Sequence, residues 1–380
     1  MRDKGKIIVL ISCLFLSFML GLYGSRLLYF YKTEHKKSKK ATNIIEHIKG
    51  DSNNNIYFKR NSKNNYVYFS GLMYRILYVT EDSVVMITDE SITSLKYGTS
   101  SSYENSDLKK WLEDVYLSNL DEAYLKTKEI KLLDKITYSK IGGKKSFVVS
   151  DDFWTKDGLV ITDKGKLEKT DNYNDLLRVK PVIELKNFKV IGEGTKEEPY
   201  LVEQKEVNSL QNVYVGEYIK YNNMDLRVIE KNEYGIKVLA PKLKEKHIFS
   251  PTRNVYNTVY WNDIGYYLNT TYINKLNKND LIESRFYIGE YTDSYKTTYR
   301  ENANAYIGLL KIGDYFVNDV PNSFLLTKNE NNVYAVSSDK LIHQVEVDQE
   351  LNIYPVFTLN KNLNIKSGNG YKKNPYIVGD

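Results

Sequence analysis

The chain opens with an uncharged, mostly apolar run, Ile7 to Ser25 (IIVLISCLFLSFMLGLYGS). Nineteen residues at about 1.5 Å each span about 28 Å, close to the hydrocarbon thickness of a bilayer. This pattern predicts a signal-anchor transmembrane helix over residues 1–31. Arg26 can snorkel, and Tyr29, Phe30 and Tyr31 sit as an interfacial aromatic belt. A basic stalk rich in Lys, Asn and Ser follows over 32–55. The pattern then changes to short β-branched and tyrosine-rich runs. YVYFSGLMYRIL (66–77) and YIKYNNMDLRVI (218–229) each read as two strands around a turn, at Ser70-Gly71 and Asn222-Asn223. Helical spacing i, i+3, i+4, i+7 appears at Leu108, Trp111, Leu112 and Val115, with Ser106 placed to cap it.

These segments recur. Tyr66 and Arg75 align with Tyr218 and Arg227 at an offset of 152. SDLKKWLEDVYL (106–117) aligns with NDIGYYLNTTYI (262–273) at 156. Pro181-Val-Ile-Glu-Leu185 pairs with Pro355-Val-Phe-Thr-Leu359, and Gly192-x-Gly194-x4-Pro199-Tyr200 with Gly368-x-Gly370-x4-Pro375-Tyr376. Four blocks in the same order define a duplication. The expected fold is therefore α+β: an N-terminal transmembrane helix, then two tandem antiparallel-sheet-plus-helix modules over 56–204 and 211–380.

Charge sharpens this picture. Residues 1–40 hold nine basic side chains against Asp3 and Glu34, and the remainder holds 45 basic against 46 acidic. Without a downstream excess of cations to displace counterions, nucleic acid is not an expected partner. The single cysteine, Cys13, lies in the apolar run, so the body has neither disulfides nor thiolate metal sites. Leu10-Ile-Ser-Cys13 formally resembles a lipobox, but the apolar run continues past it. No small-x-small cleavage site follows, and an uncleaved anchor accounts best for the segment. Lys32, Lys36, Lys37, Lys39 and Lys40 would favour a cytoplasmic flank, whereas the short basic N-terminus looks like an export signal. An extracellular body is the expectation. Thirty-four tyrosines, spread along the whole chain, supply amphipathic contact surface or reflect biased codon usage.

At Tyr74-Arg75-Ile76-Leu77, Asn105-Ser-Asp-Leu108 with Trp111-Leu112, Val179-Lys180-Pro181-Val182-Ile183 and Gly192-Glu-Gly194-Thr195, the sequence resembles a bacterial domain family of unassigned function, frequent in Firmicutes. In the second copy Leu226 stands in for the family's tryptophan and Tyr354 for its arginine before proline. The resemblance implies a C-type-lectin-like fold shared with sulfatase-modifying (formylglycine-generating) enzymes. The oxidase activity of those enzymes needs thiols, and no cysteine follows residue 13.

Candidate chemistry is sparse. His35, His47, His247 and His343 show no ligand spacing and read as surface residues. Asp151-Asp152-Phe-Trp154-Thr-Lys-Asp157-Gly158 is the most suggestive group. Its carboxylates could hold Ca²⁺ while Trp154 stacks on a sugar face; alternatively it is an aspartate-capped hairpin. The spacing is not that of an EF-hand, and no metal or cofactor is expected. Trp111 and Trp261, on or beside the predicted helices, read as core. The expected function is a non-enzymatic, membrane-anchored surface protein that binds a glycan, wall polymer or protein, with Trp154, Asp151, Asp152 and Asp157 as candidate ligand residues. The alternative is a structural component of an envelope assembly that acts through its N-terminal helix.

Overall fold

The computed structural model describes residues 41–49, 54–60, 62–99, 101–202, 207–288 and 302–379. Strand makes up 36% and helix 17%, so the α+β expectation is corrected to a mostly β protein. Val-, Ile- and Tyr-rich segments of period two dominate the chain. The helical stretches are short: Asp107–Trp111 passes directly into a π turn at Leu112–Tyr116, and Ile264–Thr270 runs seven residues. The transmembrane helix expected from Ile7–Ser25 lies outside the described residues. Among the described residues no helix is long and apolar enough to cross a membrane, so that element of the expectation has no support.

The duplication is visible in the sheets. In the first module Tyr66–Phe69, Leu72–Val79, Ser83–Thr88 and Pro181–Lys186 pair in that order, and Tyr200–Val202 lies parallel to Tyr66–Phe69. In the second, Tyr218–Tyr221, Met224–Lys231, Gly235–Leu239 and Val356–Asn360 repeat the order, with Tyr376–Val378 parallel to Tyr218–Tyr221. Both copies break register at the same place, between Ile76 and Tyr78 and between Val228 and Glu230. Such a shared bulge fixes which side chains face each side of the sheet. Both first hairpins turn through two residues of positive φ, Ser70-Gly71 and Asn222-Asn223, as tight hairpins of this twist require.

The glycine-proline motif has a steric reason. A Cβ on Gly192 would sit 2.2 Å from the Pro199 carbonyl oxygen, and one on Gly368 would sit 2.1 Å from that of Pro375, both at φ 105°. The turn then delivers the Gly194 carbonyl to the Tyr66 amide (2.8 Å) and the Gly370 carbonyl to the Tyr218 amide (2.8 Å), which locks the closing strand to the first.

One boundary shifts. Thr42–Asn43 pairs with Lys189–Ile191, and Ile44 and Ile45 of the following helix are buried, so this part of the expected stalk belongs to the first module. The modules also share one apolar core. Trp111 Nε1 donates to the Gly313 carbonyl (3.1 Å), the Phe316 amide to that of Ile92 (2.6 Å), and the Asn318 amide group to Ser94 Oγ (2.9 Å).

Candidate functional site

The best-formed concentration of charge lies on the first module, in an open cleft of about 690 Å³ around Arg75. Its walls come from separate segments. The Lys59–Ser62 turn, closed by a 2.9 Å backbone bond, presents Arg60 and Lys63. Gly142 and Gly143, both at positive φ, turn the chain so that Lys144 and Lys145 stand exposed and Ser146 turns inward. The Gly192–Gly194 turn brings up Thr195, Lys196 and Glu197. Arg60, Lys63, Arg75, Lys144, Lys145 and Lys196 thus face a single lining carboxylate, Glu197.

Arg75 is fixed on the cleft floor. Its Nε donates to Asn65 Oδ1 (2.7 Å) and its Nη1 to the Tyr66 hydroxyl (3.0 Å), with Asp89 at 3.6 Å. The guanidinium lies 4.0 Å from the Tyr66 ring centre and 4.3 Å from that of Phe147, a sandwich that holds the plane rigid. Among the described residues its Nη2 makes no hydrogen bond. Below, the buried Lys180 donates to the backbone carbonyls of Asp89 (2.8 Å) and Val148 (3.4 Å). Burial pushes its ammonium down to about 8, against the opposing pull of the Asp89 carboxylate. Ser146 belongs to the lining of the same cleft, and its buried Oγ has no hydrogen-bond partner among the described residues. A buried hydroxyl without a partner costs free energy unless a ligand or water supplies one. Fixed guanidinium, buried hydroxyl and surrounding ammonium groups are all hydrogen-bond donors of the kind that charge-assisted bonds to oxyanions use.

The residues selected from sequence are placed elsewhere and do not converge. Trp154 is fully buried; its Nε1 donates to the Leu95 carbonyl (3.0 Å) and its ring packs on Tyr97 and Tyr173. No face of it is left for a ligand. Asp151 pairs with Arg178, Asp152 Oδ1 accepts from the Asp163 amide (2.6 Å), and Asp157 Oδ2 accepts from the Lys135 amide (2.7 Å). Each aspartate closes a local turn or pair. Among the described residues no group of three His, Cys, Asp or Glu side chains is arranged to hold a metal. Trp111 is buried as expected, but Trp261 is 76% exposed, against the core role expected for it.

The cleft was hidden by its construction. Its cations come from four stretches of chain, and the near-neutral total over 41–380 conceals a local excess. The one signal in the sequence was Arg75 itself, aligned with Arg227 in the repeat. Comparison with family models, curated proteins and solved structures yields no match of any of the three kinds.

Proposed function

We propose that this is a non-enzymatic binding protein of the cell surface whose first module grips the phosphate or sulfate groups of an acidic wall polymer or glycan. The observation that carries this reading is the Arg75 cleft: a guanidinium held between two rings, in a cleft whose lining also includes Ser146, with a buried hydroxyl unpartnered among the described residues, and several lysines. The cleft holds donors but no nucleophile–base pair, and no histidine lines it. Binding therefore fits it better than turnover. Tetrahedral oxyanions suit the forked donors of arginine better than isolated carboxylates spread along a chain. A shallow charged cleft gives weak affinity per group, and a repeating polymer compensates through many local copies of that group.

The test is a binding titration of the full chain with poly(glycerol phosphate), dextran sulfate, polyglutamate and uncharged dextran. Affinity for the first two, weakening steeply with added salt, is the expected result. Equal binding to uncharged dextran, or none to either oxyanion polymer, overturns the reading.

A further inference from the structure

The second module exposes an aromatic tip that the cleft does not involve. Val259, Tyr260 and Trp261 are 75%, 49% and 76% exposed, in the loop that leads into the Ile264–Thr270 helix. Three consecutive large side chains turned to solvent are unusual, and here the backbone beneath them is braced rather than slack. Asn257 Oδ1 accepts from the Val259 amide (2.6 Å) and the Tyr260 amide (3.3 Å). The Asp263 amide donates to the Tyr260 carbonyl (2.9 Å). Buried Asp263 accepts from Ser250 Oγ (2.7 Å) and holds the Arg253 fork at 3.2 Å from both nitrogens. Arg253 in turn lies 3.8 Å from the Tyr260 ring centre and fixes that ring from one side. Gly265 completes the brace, because a Cβ there would sit 2.2 Å from the Asn257 carbonyl oxygen.

We infer that this tip is a second ligand site, a stacking platform for the ring of an uncharged saccharide, with Trp261 as its floor. A pre-ordered indole loses little entropy on stacking, and its face matches the C–H face of a pyranose. The same loop carries polar side chains near Trp261 in sequence. Thr252, Thr258 and Asn262 carry hydroxyl and amide groups that make no side-chain hydrogen bond among the described residues, and such groups both donate and accept, as sugar hydroxyls require. Charge argues against other occupants. Within 250–263 the only ionic groups are Arg253 and Asp263, which neutralise each other, so neither a polyanion nor an anionic lipid surface is attracted. The tip is specific to the second module: at the repeat offset of 156, Tyr260 and Trp261 correspond to Glu104 and Asn105.

The inference stands independently of the cleft, and its reporter is separate. Of three tryptophans, Trp111 and Trp154 are buried at 2% and 0%, so a soluble quencher reads Trp261 almost alone. The experiment is acrylamide quenching of the full chain with hexamers of N-acetylglucosamine and of glucose, beside phosphatidylglycerol–phosphatidylcholine vesicles. A blue-shifted emission and at least about twofold less quenching with either hexamer are expected, and calorimetric titration should show at least about tenfold weaker binding in Trp261→Ala, which lacks the reporter. The double variant Tyr260→Glu/Trp261→Asn, which restores the first module's residues at an exposed position, should lose binding while its unfolding curve stays unchanged. Protection by vesicles alone, protection that grows with protein concentration and no ligand, or no protection at all each overturns the inference.

Discussion

Arg75 and Arg227 occupy the same position in two copies of one module, and each stacks on a phenylalanine, Phe147 or Phe316, and on a tyrosine, Tyr66 or Tyr218. Their surroundings have diverged. Arg75 Nε is held by Asn65, whereas the residue at the Asn65 position in the second module is Glu217, and Arg227 Nε is buried without a partner among the described residues. Arg75, 3.6 Å from Asp89, shares its cleft with lysines, while Arg227 pairs with Asp319. The loop that brings the stacked ring differs most. In the first module it follows Lys144-Lys145-Ser146 into a solvent-open cleft; in the second, Asp314 and Tyr315 precede Phe316, and this loop docks on Ile92, Thr93 and Ser94 of the first module. The guanidinium sandwich is thus a structural feature of the module, and the charges around it decide what the site does. One copy has its loop turned outward to solvent, the other inward to its neighbour.

Substituting each arginine breaks the comparison most directly. Arg75→Met should cost about 3 kcal/mol, because it strands Asn65 Oδ1 and weakens the pairing of Asp89 in a buried setting. Arg227→Met should cost about 1 kcal/mol, since its Nε is already unpaired and Asp319 is a third exposed. Denaturant midpoints measure both, and equal losses would show that the two sites have not diverged energetically.

Glu217 gives the next effect. Burial lifts its carboxyl from 4.5 to about 7, while the Tyr214 amide opposes the rise. The native state therefore binds the proton more tightly than the unfolded chain. The stabilisation this gives is complete below pH 4.5 and is lost as pH rises through 7. Glu217→Gln should raise stability by ~3 kcal/mol at pH 8 and leave it unchanged at pH 4. Unfolding curves at the two pH values check this; a gain of equal size at both would remove titration as the cause.

The hairpin turns give the smallest effect. Asn223→Gly should stabilise by about 0.5 kcal/mol by relieving a non-glycine residue at φ 62°. Gly71→Asn should instead destabilise by more than about 1 kcal/mol, because its Cβ would meet the Val215 carbonyl oxygen at 2.3 Å. Opposite signs for the two changes, read from melting temperatures, follow from the module contact at Gly71 and not from the turn itself.

How much was legible in the sequence follows from which signals are local. The hairpins, the repeated glycine-proline turn and the burial of Trp111 are set by residues within a few positions of each other, and the alternation of Val, Ile and Tyr exposes them. The fold class was misjudged because the i, i+3, i+4 spacing at Leu108–Val115 marks a real helical stretch, α to Trp111 and π to Tyr116, without showing how little of the chain around it is helical. The site was illegible for a different reason. Lys63, Arg75, Lys144 and Lys196 meet only through tertiary structure, and a charge sum over the body averages them against distant carboxylates. Trp154 drew attention because tryptophan beside aspartates suits a sugar site. Yet Phe153–Trp154 forms a strand with both residues buried, and the Trp154 ring packs on Tyr97 and Tyr173. Trp261 lies next to a helix start, where sequence alone does not distinguish a buried from an exposed neighbour.

The central claim, that the first copy binds and the second docks, is tested most directly by charge reversal beside each arginine. Poly(glycerol phosphate) affinity should fall at least about tenfold in Lys144→Glu/Lys145→Glu, with a shallower salt dependence. It should change by less than about twofold in Lys372→Glu, whose ammonium lies 6.0 Å from the Tyr218 ring beside Arg227. Equal losses in the two variants, or a loss confined to Lys372→Glu, would contradict the account.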